Sequence, residues 1–188
     1  GAGPGLYVEL PDRGELVKRL WAPWRMKYIL SDKPGSGCVF CDALAAGDDP
    51  AHYIIQRGNR AFVILNTFPY TNGHTLIVPN QHERDLVRLD AETLNEMMAL
   101  TQQVVAALRR SMNPSGFNVG MNLGESAGAG IQDHVHIHVV PRWNNDTNFM
   151  PVLGDVRVVP ESLCETYSKL SAALGCQDQS AEERTQPA

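Results

Sequence analysis

Three histidines alternate with branched apolar residues in the segment His134–Val140. Because side chains of a β-strand alternate between its two faces, the three imidazoles of a strand here would share one face. Pro141 is expected to end the run, since proline donates no ladder hydrogen bond. Imidazole titrates near neutrality and can act as nucleophile, acid, base or metal ligand. The segment therefore predicts a chemical site, and the alternative is a polar, solvated sheet face.

A glycine-rich segment, residues 124–130, lies just before these histidines. Glycine lets backbone amides approach an anion and turn toward it, although many hairpin connections are also rich in glycine. Beside three imidazoles the segment predicts a phosphate site, where a neutral imidazole nitrogen attacks phosphorus in line and forms a covalent nucleotidyl-histidine. Gly128, Gly130 and Ser126 could supply donors to the phosphate.

Cys38 and Cys41 form a Cys-x-x-Cys pair that we expect to lie in a loop. Two thiolates at this spacing can bind one tetrahedral zinc ion, provided that two further ligands complete the site. A free thiol pair and a redox disulfide are the alternatives, and a thioredoxin-like site is disfavoured because no helix is expected after the pair. Cys164 and Cys176 are interpreted as buried or incidental thiols.

Hydrophobic periodicity predicts the elements that position these residues. Ala61–Asn66 and His74–Val78 indicate a hairpin, and residues 91–111 indicate a helix with Asp90 as its N-cap. The expected apolar face of that helix, in which both methionines are core residues, is Leu94, Met97, Met98, Thr101, Val104, Val105 and Leu108. A strand over Phe117–Asn122, the histidine strand and a short helix over residues 161–174 follow, an order that predicts an α+β fold with an antiparallel sheet.

Length and charge restrict the kind of protein. The chain of 188 residues has the size of one domain, which we place at residues 20–175, between a flexible arm (1–19) and a disordered tail (176–188). The net charge of −5 provides no positive field for nucleic acid. No apolar run approaches the roughly 20 residues of a membrane span, and the first ten residues lack the pattern of a signal peptide. We therefore expect a cytoplasmic protein that binds neither nucleic acid nor membrane.

The histidine segment matches the HIT (histidine triad) pattern, His-φ-His-φ-His-φ-φ with φ apolar. Other segments resemble the rest of a HIT domain: Ala61–Asn66 with Pro69, Gly73–Pro79 with His82, and Phe117–Asn122. The flanking segments Leu20–Ile29 and Pro141–Phe149 resemble one branch, which contains the diadenosine tetraphosphate phosphorylases and Fhit-like proteins of bacteria. The resemblance covers most of the chain and implies a HIT-like fold.

The resemblance implies a role for each member of the triad. His136 would be the nucleophile, and the backbone carbonyl of His134 would hold its other nitrogen protonated. His138 would donate to the phosphoryl oxygens and to the leaving group. Asn66 falls where the family contacts the ribose, or else is a strand-end Asn that satisfies a turn. Asn122 falls near the phosphate. The connection before the triad is one residue longer than in other branches, so Gln132 is shifted from its usual place.

The resemblance also implies the complete metal site. In zinc-bearing HIT relatives the ligands resemble the set Cys38, Cys41, His82 and His134, and four protein ligands would make the zinc structural. His74 matches a family position that we interpret as structural, and no organic cofactor is expected.

The implied function is cleavage of diadenosine polyphosphates, diadenosine tetraphosphate above all, through a histidine–AMP intermediate with phosphate or water as acceptor. Three alternatives are Fhit-like hydrolysis of the triphosphate, a Hint-like nucleoside phosphoramidase and a nucleotide-binding signalling module. The family also implies a homodimer, which the sequence supports only through Trp21 and Trp24. These two residues are interpreted as an aromatic anchor onto the domain or onto a partner subunit, and simple core packing is the alternative.

Overall fold

The structure, a computed structural model, describes residues 37–144, 146 and 161–175. The predicted arm, the tryptophan segment, Cys176 and the predicted tail lie outside the described residues. None of the helices in the described part is long and apolar enough to cross a membrane.

Four α-helices and five strands form the described fold. The helices are α1 (Val39–Ala46), α2 (Asp49–His52), α3 (Ala91–Met112) and α4 (Leu163–Gly175). The strands are β1 (Ile54–Arg57), β2 (Ala61–Leu65), β3 (Thr75–Pro79), β4 (Gly116–Gly120) and β5 (Ile137–Arg142). Their order in the sheet is β1-β2-β3-β5-β4, with every neighbouring pair antiparallel. The predicted α+β fold with an antiparallel sheet, one long helix and a short C-terminal helix is confirmed.

The pairing of β3 with β5 brings the two halves of the chain together. Leu76 lies opposite His138, and Ile77 lies opposite Ile137. This register sets the end of the histidine segment beside the strand that follows His74.

The sheet has two differently covered faces. Val135, Ile137 and Val139 pack with residues of α3 and α4, such as Leu108 and Leu170, in the larger hydrophobic core. The opposite face carries the histidines and a smaller core that contains Phe40 of α1. The predicted alternation of the histidine segment therefore places its apolar residues beneath the helices and its imidazoles on the other face.

Helix α3 follows its sequence pattern closely, with one correction. Asp90 caps it by accepting a hydrogen bond from the Thr93 N–H (2.7 Å), and Met97 and Val104 are buried. Burial of each such side chain stabilises the fold by about 1.5–3 kcal/mol. Met98 is 53% exposed, so the prediction that both methionines are core was wrong. Consecutive helical residues are about 100° apart, and Met98 lies past the edge of the apolar stripe.

The histidine strand begins and ends later than predicted. It starts at Ile137, so His134 and His136 precede the regular ladder, and it continues through Pro141 to Arg142. Proline is tolerated because β3 pairs with β5 only as far as Val139. Beyond that point the Thr71 hydroxyl donates to the Pro141 carbonyl (2.8 Å), so the side without an N–H faces a turn and loses no ladder bond.

The cysteine pair lies in a helix rather than in a loop. Cys38 is the N-cap of α1 and Cys41 lies in its first turn, while Gly47 ends the helix in the left-handed conformation (φ 71°). Contrary to prediction, a helix therefore begins at the pair and continues after it. The sequence did not reveal this helix because eight residues are too few to show a helical period.

Candidate active site and metal centre

The His136 ring is oriented by the backbone of its own segment. Its Nδ1 lies 2.8 Å from the His134 carbonyl oxygen. A carbonyl can only accept, so Nδ1 carries the proton and a neutral ring keeps the lone pair on Nε2. The side chain is 5% exposed, and this burial lowers the pKa of His136 below its usual range, opposed by the hydrogen bond to His134. His136 thus presents an unprotonated nitrogen at neutral pH, which is what an attacking imidazole requires.

The His138 ring is oriented through a second histidine, His74. The backbone N–H of Tyr70 donates to His74 Nδ1 (3.1 Å), so the proton of that ring lies on Nε2. His74 Nε2 lies 3.0 Å from His138 Nδ1 and donates to it. His138 Nδ1 is then an acceptor, and its proton must lie on Nε2. Sequence analysis assigned His74 a structural role; its Gly-His position at a strand start gave no signal of this contact.

His138 is neutral and presents its N–H beside His136. The two rings are 4.8 Å apart between centroids. Burial, with a smaller contribution from His136, lowers the pKa of His138 to about 4. The side-chain amide nitrogen of Asn122 lies 3.4 Å from His138 Nε2, at the open end of the pair; with the proton on Nε2, a 180° rotation of this amide places its oxygen there as the acceptor. An unprotonated nitrogen and a neutral N–H donor are therefore neighbours, an arrangement suited to in-line attack with stabilisation of the developing charge.

The structure brings together the four residues predicted to bind metal. Cys38, Cys41, His82 and His134 form a group of candidate metal ligands, the metal cluster. One ligand atom from each residue lies within 4.8 Å of all the others. The sulfur–nitrogen distances are 3.2 Å (Cys38 to His134), 3.4 Å (Cys41 to His82) and 3.7 Å (Cys41 to His134). Zinc with Zn–S of about 2.3 Å and Zn–N of about 2.0 Å has sulfur–nitrogen edges of about 3.5 Å. The cluster fits a tetrahedral ion of that size.

The side chain of His134 faces this metal cluster, and the backbone carbonyl of His134 faces His136. His134 Nε2 lies 2.9 Å from the Pro79 carbonyl and donates to it, which leaves the Nδ1 lone pair of His134 directed at the cysteines. Such a hydrogen bond from the distal nitrogen is the usual support of a metal-bound histidine. Burial, followed by the neighbouring Cys38, raises the pKa of Cys41 to about 11, the direction opposite to that of a reactive thiolate.

The predicted phosphate-binding connection is compact and partly exposed. A 3-10 turn spans Glu125–Ala127, and Gly128 follows it in the left-handed conformation (φ 82°) that favours glycine. Of the residues predicted here, Ser126 and Gln132 are exposed and Gly130 is half-buried. Asn122 is brought to His138, as described above, and the other contacts of this connection remain predictions.

Asn66 belongs to the turn that supports His74. Its side-chain carbonyl accepts from the Phe68 N–H (2.9 Å), and its amide nitrogen lies 3.2 Å from His74 Nδ1. The turn role considered from the sequence is therefore filled, and the ribose contact remains a prediction. His52 is an exposed residue of helix α2, and Cys164 is exposed.

Comparisons with known proteins find similarity over most of the chain. The family model of the HIT domain matches residues 48–145. The chain is 35% identical over 172 residues to the AP-4-A phosphorylase of Mycobacterium tuberculosis, covering 85% of this chain and 88% of that protein.

Solved structures also resemble the fold. A Zn-bound histidine triad family protein from Mycobacterium smegmatis superposes with a TM-score of 0.63 at 35% identity, over 77% of this chain and 97% of the other. A diadenosine triphosphate hydrolase from Plasmodium falciparum gives a TM-score of 0.54 at 19% identity, over 68% of this chain and 78% of that one. This last likeness concerns the fold alone.

Proposed function

The chain belongs to the HIT domain family, and we propose that it is a nucleotidyl-transferring enzyme that cleaves diadenosine polyphosphates at the α-phosphate. Diadenosine tetraphosphate is the substrate that we expect first, because the similarity to an AP-4-A phosphorylase extends over most of both chains. The observation that carries the proposal is the 2.8 Å contact of His136 Nδ1 with the His134 carbonyl, which leaves a buried Nε2 lone pair next to His138.

In the first step His136 Nε2 attacks the α-phosphorus. A nitrogen–phosphorus bond forms, the bond from phosphorus to the bridging oxygen breaks, and the electron pair leaves with that oxygen as a nucleotide phosphate. The proton on His136 Nδ1 stays in place, and the His134 carbonyl stabilises the positive charge that the ring acquires. AMP is then held covalently on His136.

His138 assists this step as a neutral hydrogen-bond donor. A phosphate leaving group carries its own negative charge at neutral pH and needs no full proton. The His138 N–H directed at the departing or phosphoryl oxygens would stabilise the developing charge without forming an imidazolate. Asn122, with the amides of Gly128 and Gly130 and the side chains of Ser126 and Gln132, is proposed to hold the phosphates, and Asn66 the ribose.

In the second step an acceptor oxygen attacks the same phosphorus and the nitrogen–phosphorus bond breaks. With phosphate as acceptor the products of diadenosine tetraphosphate are ADP and ATP; with water they are AMP and ATP. We propose phosphate, in keeping with the AP-4-A phosphorylase relative.

A structural zinc ion on the metal cluster would add rigidity rather than chemistry. The four protein side chains would complete a tetrahedral shell and leave no position for substrate. The ion would tie α1 to the end of β3 and hold the His134 backbone, whose carbonyl orients His136. A homodimer stays a prediction of the family resemblance.

Product analysis tests the proposal directly. Purified protein is incubated with diadenosine tetraphosphate, with and without inorganic phosphate, and the nucleotides are separated by ion-exchange chromatography. We expect ADP and ATP that appear only with phosphate. AMP and ATP in both reactions would replace the phosphorylase with a hydrolase, and no product in either would reject the proposed function.

A further inference from the structure

The turn over residues 70–74 supports His74 and is fastened at several points. Its Tyr70 N–H donates to His74 Nδ1, and its Thr71 carbonyl accepts from the His74 N–H (3.2 Å). The Thr71 hydroxyl reaches Pro141 of β5. Gly73 has φ +77°, a backbone conformation that favours glycine, and a Cβ there would lie 2.8 Å from Met112 and 2.9 Å from Leu108 of α3. These contacts fix the backbone on one side of the turn.

The start of helix α4 fastens the other side through Asn72. The amide nitrogen of Asn72 donates to Glu161 Oε2 (2.7 Å), and the Thr166 hydroxyl donates to the amide oxygen of Asn72 (3.1 Å). Thr166 is 1% exposed and the Glu161 side chain 12%. Burial raises the pKa of Glu161, but hydrogen bonds from Lys169 and Asn72 outweigh it and lower the pKa below its usual range. A buried carboxylate thus accepts from the turn.

The position of this carboxylate is itself fixed. Ser162 and Glu165 form a reciprocal capping box: the Ser162 hydroxyl accepts from the Glu165 N–H (3.2 Å), and the Glu165 carboxylate accepts from the Ser162 N–H (3.1 Å). Leu170 of the same helix is buried in the larger core. Glu161 therefore stands on a rigid support rather than on a mobile end.

We propose that Glu161 and Asn72 are positioning residues that fix the tautomer of His138 through the 70–74 turn, so that its N–H faces the leaving group. This inference rests on the proposed function, in which that N–H stabilises the departing oxygen. The path runs from Glu161 to Asn72, along the turn to the Tyr70 N–H, and then through His74 to His138.

The path acts because each imidazole has one proton to place. Without the Asn72 bonds the turn can shift and draw the Tyr70 N–H away from His74 Nδ1, so that only the longer contact from the Asn66 amide nitrogen (3.2 Å) holds that nitrogen as an acceptor. His74 can then carry its proton on Nδ1 and accept at Nε2. His138 must in turn donate from Nδ1, which leaves its Nε2 without the proton that the leaving group needs.

The test is Asn72→Ala, assayed with aryl esters of AMP that range from p-nitrophenyl to phenyl. Phenolate is the poorer leaving group, so its departure depends more strongly on a hydrogen-bond donor. We expect kcat/KM to fall about tenfold for the phenyl ester and less than about twofold for the p-nitrophenyl ester, a small part of the 10²–10⁴-fold of acid–base catalysis. A merely structural role would lower both equally.

Two further variants separate the tautomer from folding. Glu161→Ala should show the same steeper dependence on the leaving group, and Glu161→Gln, which keeps an oxygen that can accept from Asn72, should recover most of it. Lys169→Ala removes the ion pair to Glu161 but leaves the Asn72 bonds, and should keep the ratio of the two esters. Equal losses for both esters in Asn72→Ala and Glu161→Ala would overturn the inference.

Nitrogen-15 NMR of the imidazoles gives a readout that needs no turnover. We expect the proton of His138 on Nε2 in the unmodified protein and divided between both nitrogens in Asn72→Ala. An unchanged tautomer in that variant would overturn the inference even if activity fell. Unmodified protein that cleaves neither the esters nor diadenosine tetraphosphate would reject the proposed function instead, while the nitrogen shifts would still decide the role of Asn72.

Discussion

The two ends of the histidine segment use the same side chain in opposite ways. At one end the Nε2–H of His134 donates a hydrogen bond to the Pro79 carbonyl, and the Nδ1 lone pair is directed toward two cysteines and His82. At the other end His138 accepts at Nδ1 from His74 and keeps its proton on Nε2. His136 lies between them, with its lone pair directed away from the backbone.

The hydrogen-bond partner of one ring nitrogen therefore decides what the other nitrogen of each histidine can do. When one ring nitrogen donates to a backbone carbonyl, the other nitrogen keeps its lone pair and can bind a metal or attack phosphorus. When one ring nitrogen accepts from a histidine, the other nitrogen carries the proton and can donate to an oxyanion. The two ends are linked by the backbone of one segment and by the Phe40 ring of α1, which packs against His134 and His136, so stability and catalysis should separate in large part when each end is altered.

We expect the strongest loss of activity at His136, the proposed nucleophile. His136→Ala should lower turnover of diadenosine tetraphosphate by about 10⁴-fold or more, because no other nitrogen takes its place at phosphorus. Bound zinc, the melting temperature and the affinity for AMP should stay close to those of the unmodified protein. The control is His52→Ala, which alters an exposed histidine on α2. Steady-state kinetics measures the turnover of both variants, and calorimetry measures their melting temperature and their affinity for AMP. Full activity in His136→Ala would contradict the mechanism.

The opposite pattern is expected at the metal cluster. Cys38→Ser should lose zinc and lower the melting temperature by about 10 °C, since a structural ion contributes directly to folding. Turnover should fall by only about tenfold, through a looser His134 carbonyl. Cys164→Ser, an exposed thiol outside the cluster, is the matched control. Metal analysis measures the zinc content and thermal unfolding the melting temperature of both variants. Absence of zinc from gently purified unmodified protein would reject the metal site.

Local pattern was sufficient for the parts of the fold with long or strict periodicity. The hairpin before α3, the helix itself and the alternation of His134–Val140 follow from spacing alone, and the structure agrees with each to within a few residues. Short elements carry too few residues for a period to emerge. Helix α1, the four-residue helix α2 and strand β1 were missed for this reason, although Gly47 could have marked the end of α1.

The site was predictable where one segment carries it and hidden where distant segments meet. His134, His136 and His138 stand in one run, whereas His74 reaches His138 only through the register of β3 on β5. Asn72 and Glu161 are 89 residues apart and meet only once α4 has packed. Tertiary packing decides such contacts, and no local pattern reports it.

The pH dependence of activity should show the weakest change, and it tests whether the ring of His138 is neutral. Burial and the neighbouring His136 lower the pKa of His138 to about 4, and the other groups that face it are His74 just before β3, the Tyr70 ring and the Asn122 amide. A lowered pKa keeps the ring neutral as pH falls below 6.5, so its tautomer and its donor survive. Burial lowers the pKa of His136 as well, so we expect kcat/KM for diadenosine tetraphosphate, which reports the first step alone, to fall far less between about pH 7 and 5 than the titration of an ordinary imidazole would require. Activity that falls with an apparent pKa near 6.5 would mean that one imidazole is solvated like a free histidine, and the contrast between the two ends would then lose its physical basis.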